Sequence, residues 1–268
     1  MKKWIVAAAL ALASNLVCAI EEKAADELLQ NAGNTNAINQ LQQLADQGDM
    51  VAQDRLGLAY LSGRGVDKNL DTGRKWLQRA ADQGYAYSEA RLGFIYENGV
   101  GVTRDLDRAV SWYKSAAEKG NVAASFNLGQ LFSAGGDLPK DEMLAAKWFR
   151  VAAEQGLAEA QLNLGVLYMG ETLKQDYAEA FRWLSKAVEA GKAKAMFNLG
   201  IMYQKGWGVK QDDTAALAWY QKAAAGGDWM AMGNISQAYR DGTLGLPQDP
   251  VKADEWYQKY LEAQLRKQ

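Results

Sequence analysis

Histidine is absent from this chain of 268 residues. Its absence removes the commonest general base and metal ligand, and the one side chain that ordinarily titrates near neutral pH. Cysteine occurs once, at Cys18, so no disulfide can form within the chain. Proline is held to 3 residues, which leaves long stretches open to helix. Neither sign of charge predominates: 30 Lys and Arg stand against 32 Asp and Glu, for a net of −2. That balance argues against nucleic acid or an anionic membrane surface as a partner. No apolar run reaches the length that crosses a bilayer.

The first 19 residues read as a secretory signal peptide. Lys2 and Lys3 are a basic start, Trp4 to Leu12 is a short apolar run, and Val17-Cys18-Ala19 supplies small-residue cleavage chemistry. Cleavage is expected after Ala19, with a periplasmic or secreted product. The alternative makes Cys18 a lipid-attachment site, but Asn15-Leu16-Val17 fits that pattern poorly. Cleavage would remove Cys18 and both lysines, leaving 249 residues with 28 basic and 32 acidic side chains, net −4. Stability would then rest on packing alone.

Against these absences stands a rhythm. Trp76, Trp112, Trp148, Trp183, Trp219 and Trp256 are spaced by 36, 36, 35, 36 and 37 residues. Gly57, Gly93, Gly129, Gly165 and Gly200 keep the same beat, with Ser236 in the sixth place. A fixed period of this length marks one supersecondary unit copied along the chain. In the second copy, Leu92, Gly93 and Tyr96 share one helical stripe, and Gly99-Val100-Gly101-Val102 breaks that helix. Asp105 to Lys119 resumes a helical pattern, with Ala109, Trp112, Tyr113, Ala116 and Ala117 at three- and four-residue spacing. Each unit is therefore helix A, a glycine turn, helix B and an exit glycine (Gly48, Gly84, Gly120, Gly156, Gly191, Gly227).

The expected fold is all-α: a right-handed α/α superhelical solenoid of about six helix-turn-helix repeats with capping helices at both ends. The expected divisions are a signal at 1–19, a capping helix pair at 20–48, and repeats at 49–84, 85–120, 121–156, 157–191, 192–227 and 228–268. The cap would comprise Glu21 to Asn31 and Asn36 to Gln47, and the last helix would run from Pro250 to Arg266. A glycine inside helix A costs about 1 kcal/mol against Ala, so it implies a close neighbour. The Ala pairs of helix B (Ala80-Ala81, Ala116-Ala117, Ala152-Ala153, Ala223-Ala224) are the candidates for that close face, with Trp filling the wider gap between units.

The phrase Ala195-Met196-Phe197-Asn198-Leu199-Gly200-Ile201-Met202-Tyr203, then Gly206-Trp207-Gly208-Val209, then Ala218-Trp219-Tyr220-Gln221-Lys222-Ala223-Ala224, resembles the Sel1-like repeat family, relatives of the tetratricopeptide repeats. The resemblance covers about residues 48 to 260. It implies a superhelix of paired helices and a role as an adaptor in envelope signalling, host interaction or complex assembly. Some exported relatives carry a cysteine pair in every repeat, and this chain lacks that feature.

Three fragments imitate catalytic or ligand motifs. Ser111-Trp112-Tyr113-Lys114 reads Ser-x-x-Lys. Ser111, however, shares its place with Lys75, Lys147, Arg182, Ala218 and Glu255, while Lys114 is read as one of a recurring series with Lys186, Lys222 and Lys259. Asp67, Asn69 and Asp71 open like a calcium loop, but Thr72 and Gln78 fall where the loop needs Gly and an acid. Gly63-Arg64-Gly65 and Gly99-Val100-Gly101 lie between helices, not after a strand, and read as helix ends. No catalytic residue, metal ligand or cofactor is expected.

A stacked array offers a long surface, so binding is the expected activity. Counting from the helix A glycine, the residues two back, one ahead and five ahead fall within about 60° on a side away from the buried stripe. Two back stand Arg55, Arg91, Asn127, Asn163, Asn198 and Asn234, long or amide side chains that suit peptide carbonyls and carboxylates. One ahead stand Leu58, Phe94, Gln130, Val166, Ile201 and Gln237. This side is the candidate concave face for a partner protein or extended peptide, with Arg55, Arg91, Phe94 and Gln130 among its contacts. Reversing the charge of Arg55 and Arg91 is expected to weaken capture and spare the fold. The asparagines could equally tie neighbouring helices together, and the apolar column could be inter-repeat core. Trp207 and Trp229, outside the main register, either anchor a partner or pack against the next unit. Two other functions stay open: an immunity protein that neutralises a toxin enzyme in the cell envelope, and a cell-wall-active hydrolase. A monomer or weak oligomer is expected.

Overall fold

The computed structural model describes residues 35–266. The signal segment, Cys18 and the first capping helix lie outside them. Among the described residues are thirteen α-helices and no strand. They are α1 (Thr35–Asp46), α2 (Met50–Ser62), α3 (Leu70–Asp82), α4 (Ala86–Asn98), α5 (Leu106–Glu118), α6 (Val122–Ala134), α7 (Glu142–Glu154), α8 (Ala158–Met169), α9 (Tyr177–Glu189), α10 (Ala193–Lys205), α11 (Asp213–Ala225), α12 (Trp229–Asp241) and α13 (Pro250–Leu265). Even-numbered helices from α2 are helix A and odd-numbered ones from α3 are helix B. The expected capping helix at Asn36 to Gln47 is α1, and the expected last helix is α13.

Two compact units divide the chain, with the boundary between Ser125 and Phe126, inside α6. In the first, consecutive helices from α1 to α5 pack on each other around Leu41, Leu56, Leu77 and Leu92, all fully buried. In the second, consecutive helices from α7 to α13 do the same around Leu128, Phe149, Leu164, Trp183 and Tyr220. The stripe read from the sequence is the buried one. Ala52, Ser88, Ala124, Ala160, Ala195 and Ala231, five residues before the register position, have no exposed surface.

Helix starts carry a signal that periodicity missed. Every helix B begins with Asn or Asp as its cap: Asn69, Asp105, Asp141, Asp176, Asp212 and Asp249. Each side-chain oxygen accepts the backbone N–H three residues on, at 2.8–3.1 Å. In five of these hairpins the cap's own N–H donates to the carbonyl of the helix A aromatic, as Asp105 N does to Tyr96 O at 2.9 Å. The fourth hairpin departs. Its turn lacks the glycine pair, and Lys174 (φ 60°) and Gln175 (φ 51°) adopt the left-handed conformation instead.

The mid-helix glycines do mark close approach, but the partner differs from the expected Ala pairs. A Cβ on Gly93 would stand 2.5 Å from the Tyr113 ring, on Gly129 2.5 Å from Phe149, and on Gly200 2.6 Å from Tyr220. Leu77 and Leu184 play this part against Gly57 and Gly165. The contact residue in each case directly follows the tryptophan. An aromatic or leucyl side chain of helix B lies flat on the bare backbone of its own helix A. The sixth hairpin slides this contact by one turn. Ser236 fills the glycine position and bonds Ala253 O at 2.7 Å, while Gly233 faces the Tyr260 ring at 3.3 Å. Tyr257, the equivalent of the fully buried Tyr113 and Tyr220, is left 42% exposed.

The tryptophans edge the core. Trp76, Trp148 and Trp183 are buried, and Trp112, Trp219 and Trp256 are half-buried. Lys186, Lys222 and Lys259, three residues after their tryptophans, lie over the rings at 4.2–4.6 Å. Lys114 follows Trp112 by two residues, so it does not share their place, contrary to the sequence reading. Trp207 stacks on Tyr177 of the preceding helix B at 5.1 Å, and Trp229 meets Tyr260 of its own hairpin at 5.5 Å.

Candidate protein-binding face

The predicted side of helix A faces solvent at some rungs only. Phe94 is 53% exposed, Val166 44%, and Gln130 and Gln237 are exposed as well. Leu58 and Ile201 are half-buried, so that column is surface at some rungs and core margin at others. The polar column divides in the same way.

In the first unit, Arg55 and Arg91 converge on Asp54, which is fully buried. Arg55 Nη1 lies 2.5 Å from Asp54 Oδ2, Arg91 Nε lies 3.0 Å from Oδ1, and Ser88 Oγ donates to Oδ1 at 2.7 Å. A carboxylate taken out of water requires such neutralisation, and removing a partner from a buried pair is strongly destabilising. Arg55 is itself buried. A glutamate there would set two carboxylates together in the interior. The expectation that charge reversal of Arg55 and Arg91 spares the fold therefore fails. Arg91 keeps about a third of its side chain in solvent, on the same helix as Phe94.

The second unit brings candidate residues together. Gln130 and Ser133 of α6, with Asn163 and Val166 of α8, line a surface cavity of about 290 Å³ over Phe149 of α7. Amide groups reach it from two helices, a hydroxyl from one, and an apolar floor and wall lie between. Such a cavity can hold one apolar side chain of a bound segment while the amides meet its backbone. Asn198 and Asn234 serve otherwise. Asn198 Nδ2 bonds its own helix at Lys194 O, 2.8 Å away. Asn234 donates to the hydroxyl of Tyr220 on the preceding helix B. Tyr220 also donates to Gln204 Oε1 at 2.7 Å, and burial pushes its phenol up to about 12, against the pull of the Asn234 bond. The tie between neighbouring hairpins thus holds for Asn234. Asn127 is half-buried.

Sequence reading missed Asp54, Ser133 and Phe149. Asp54 had a signal: it stands three before the glycine, where the later copies have Ala90, Phe126, Leu162, Phe197 and Gly233. Phe149 belongs to the column after the tryptophans. Ser133 had no repeating signal. The imitation motifs have ordinary roles. Ser111 and Lys114 are exposed on α5, and Asn69 caps α3. The Asp71 carboxyl is held below its usual range by Lys75 and Arg74.

No curated protein matches the sequence. Solved structures do. A protective antigen present in uropathogenic Escherichia coli strains, with an SLR fold, is 38% identical with a TM-score of 0.75 over 85% of this chain. The chain spans half the length of that antigen. A Sel1 repeat protein from Oxalobacter formigenes is 32% identical with a TM-score of 0.71, over 89% of this chain and 96% of that one. An immunity protein from Pseudomonas aeruginosa is 21% identical with a TM-score of 0.44, over 80% of this chain and 81% of that one. That distance gives the toxin-neutralising alternative no support. The Sel1 repeat model matches residues 51–85, 86–121, 122–157, 158–192, 193–228 and 229–262. Six consecutive matches, the shared hairpin and the two nearer structures agree: the chain belongs to the Sel1 repeat family.

Proposed function

We propose that this chain captures an extended segment of a partner protein on the exposed side of helix A, with the cavity between α6 and α8 as its anchor point. Sel1 repeat proteins are in general protein-interaction scaffolds, and the cavity supplies a specific foothold. The observation that carries the reading is the meeting of Gln130, Asn163 and Val166 above Phe149. An apolar side chain of the ligand enters the cavity, and the two amides bond its flanking peptide groups. The contact is non-covalent and relies on a preformed surface. Phe94, exposed on the same helix as the half-buried Arg91, offers a second apolar contact in the first unit.

A peptide-display library panned against the whole chain and against the triple variant Gln130→Ala, Asn163→Ala, Val166→Asp tests this. Extended peptides with an apolar anchor are expected to enrich on the parent and to be lost from the variant, with melting temperatures alike. Equal enrichment on both would refute the assignment. We further propose export to the envelope or beyond, supported by the basic start, apolar run and small-residue cleavage pattern of residues 1–19. N-terminal sequencing of protein recovered from bacterial periplasm should begin at Ile20.

A further inference from the structure

No residue type recurs four places after the helix A glycine: the copies carry Leu61, Glu97, Ser133, Met169, Gln204 and Arg240 there. The place is matched instead to the helix B residue that lies on the glycine. Where that residue is Leu77 or Leu184, the fourth place is apolar, Leu61 or Met169. Where a tyrosine lies on the glycine, the fourth place accepts its phenol. Tyr113 donates to Glu97 Oε2 at 2.6 Å and Tyr220 to Gln204 Oε1 at 2.7 Å. Asn234, on the next helix A, closes the second of these bridges.

The third hairpin has neither pairing. Phe149 takes the tyrosine's seat. A Cβ on Gly129 would stand 2.5 Å from Cδ1 and 2.6 Å from Cε1 of its ring, the same atoms and distances as for Tyr113 over Gly93. The para edge of Phe149 therefore points where those phenols point, but it carries no hydroxyl. Ser133 stops short where Glu97 and Gln204 reach across. The missing hydroxyl and the shortened side chain together open the cavity of about 290 Å³ between α6 and α8. Ser133 and Asn163, the counterpart of Asn234, both line it, and the lining holds no tyrosine.

We propose that this cavity takes a tyrosine side chain of the captured partner, which restores the missing bridge from outside. The inference rests on peptide capture at α6 and α8 and names the anchor residue. The ring lies against Phe149, Val166 and Leu167, and the hydroxyl reaches Ser133 and Asn163, which offer a hydroxyl and a carboxamide. Tyrosine has an apolar body and a polar tip, the same division that the lining shows. Phenylalanine would leave the polar end unmet, and serine or threonine would leave the apolar walls in water. No charged residue lines the cavity, so an acidic or basic anchor would lose its hydration without a counter-ion.

The test is an NMR titration of the whole chain, read on the methyls of Val166 and Leu167, with N-acetyl-tyrosinamide and, separately, N-acetyl-phenylalaninamide. Both are expected to saturate, with the tyrosine amide about five- to tenfold tighter. In the double variant Ser133→Ala, Asn163→Ala the phenylalanine amide should keep its affinity and the two ligands should become equal. In the variant Ser133→Gln, Phe149→Tyr, which rebuilds the pairing of Gln204 with Tyr220, neither should bind and the melting temperature should hold or rise. Equal affinities on the parent, or a preference that survives in the double variant, would overturn the tyrosine anchor while leaving capture of apolar anchors intact. No saturation by either amide would overturn it as well, and the display experiment then decides peptide capture separately. Binding undiminished in Ser133→Gln, Phe149→Tyr would remove the cavity from both readings.

Discussion

At the residue scale, the repeat makes each copy a control for the others. Trp183 Nε1 donates to Glu179 Oε2 at 3.0 Å, four residues back on the same helix. Trp148 has Leu144 in that place, and its buried Nε1 has no partner. Leu144 is also the third residue of α7, where a glutamate can bond back toward the Asp141 cap. Leu144→Glu is therefore expected to stabilise by about 1 kcal/mol, read as a raised urea midpoint. A lowered midpoint would show that the half-buried leucine contributes more by packing than the indole gains by bonding. The same tryptophan, 7% exposed, should cost about 3–5 kcal/mol on truncation to alanine. Trp256, half-buried at the end of the array, should cost clearly less, and equal melts for Trp148→Ala and Trp256→Ala would contradict the packing described above.

At the element scale, the hairpin depends on close contact at one point and backbone freedom at another. Gly129→Ala would drive a methyl to 2.5 Å from the Phe149 ring, which is itself buried. Overpacking of this kind costs about 1–3 kcal/mol and outweighs the propensity gain of about 1 kcal/mol. Gly233→Ala meets Tyr260 only at 3.3 Å, so it should lower the thermal melt less than Gly129→Ala does, and an equal or larger fall would contradict the contact. In the fourth hairpin, Lys174→Gly relieves a left-handed lysine and should stabilise by about 1 kcal/mol. The helices, their order and the buried stripe were legible because hydrophobic period and glycine spacing are local properties of the chain. The partner of each mid-helix glycine was not, since Leu77, Ala80 and Ala81 share one face of their helix and only the offset of the two helices along their axes selects among them. The same limit applies to the binding face. Counting angles showed that Arg55 and Asn163 share a side. It could not show that Asp54, a lone acid in an apolar column, draws Arg55 inward, nor that Asn234 would find Tyr220 while Asn163 opens on a cavity.

At the scale of the whole molecule, the missing histidine becomes a statement about pH. With no imidazole, and with Cys18 outside the described helices, no side chain of the folded region has an ordinary pKa between about 5 and 8. Stability should therefore be level across that window. Its acid edge is set by carboxylates held below their usual range. Lys140 and Thr172 do this for Glu142, Lys192 for Glu159, and Arg182 with Trp183 for Glu179. A carboxyl with a lowered folded pKa binds fewer protons folded than unfolded, so its contribution is complete above about pH 5 and is lost as pH falls through the folded value. The alkaline edge has the opposite sign. Tyr220 is raised from 10.0 to about 12, so the folded state holds its proton where the unfolded chain releases it. That contribution is complete below about pH 10 and is lost as pH rises toward 12. Melting temperatures measured from pH 3 to 11.5 should trace a plateau with two falling limbs. Tyr220→Phe lowers the plateau by leaving Gln204 and Asn234 without their phenol, yet it should flatten the alkaline limb relative to the parent. A step within the plateau, or an alkaline limb equally steep in both proteins, would show that the limbs arise elsewhere.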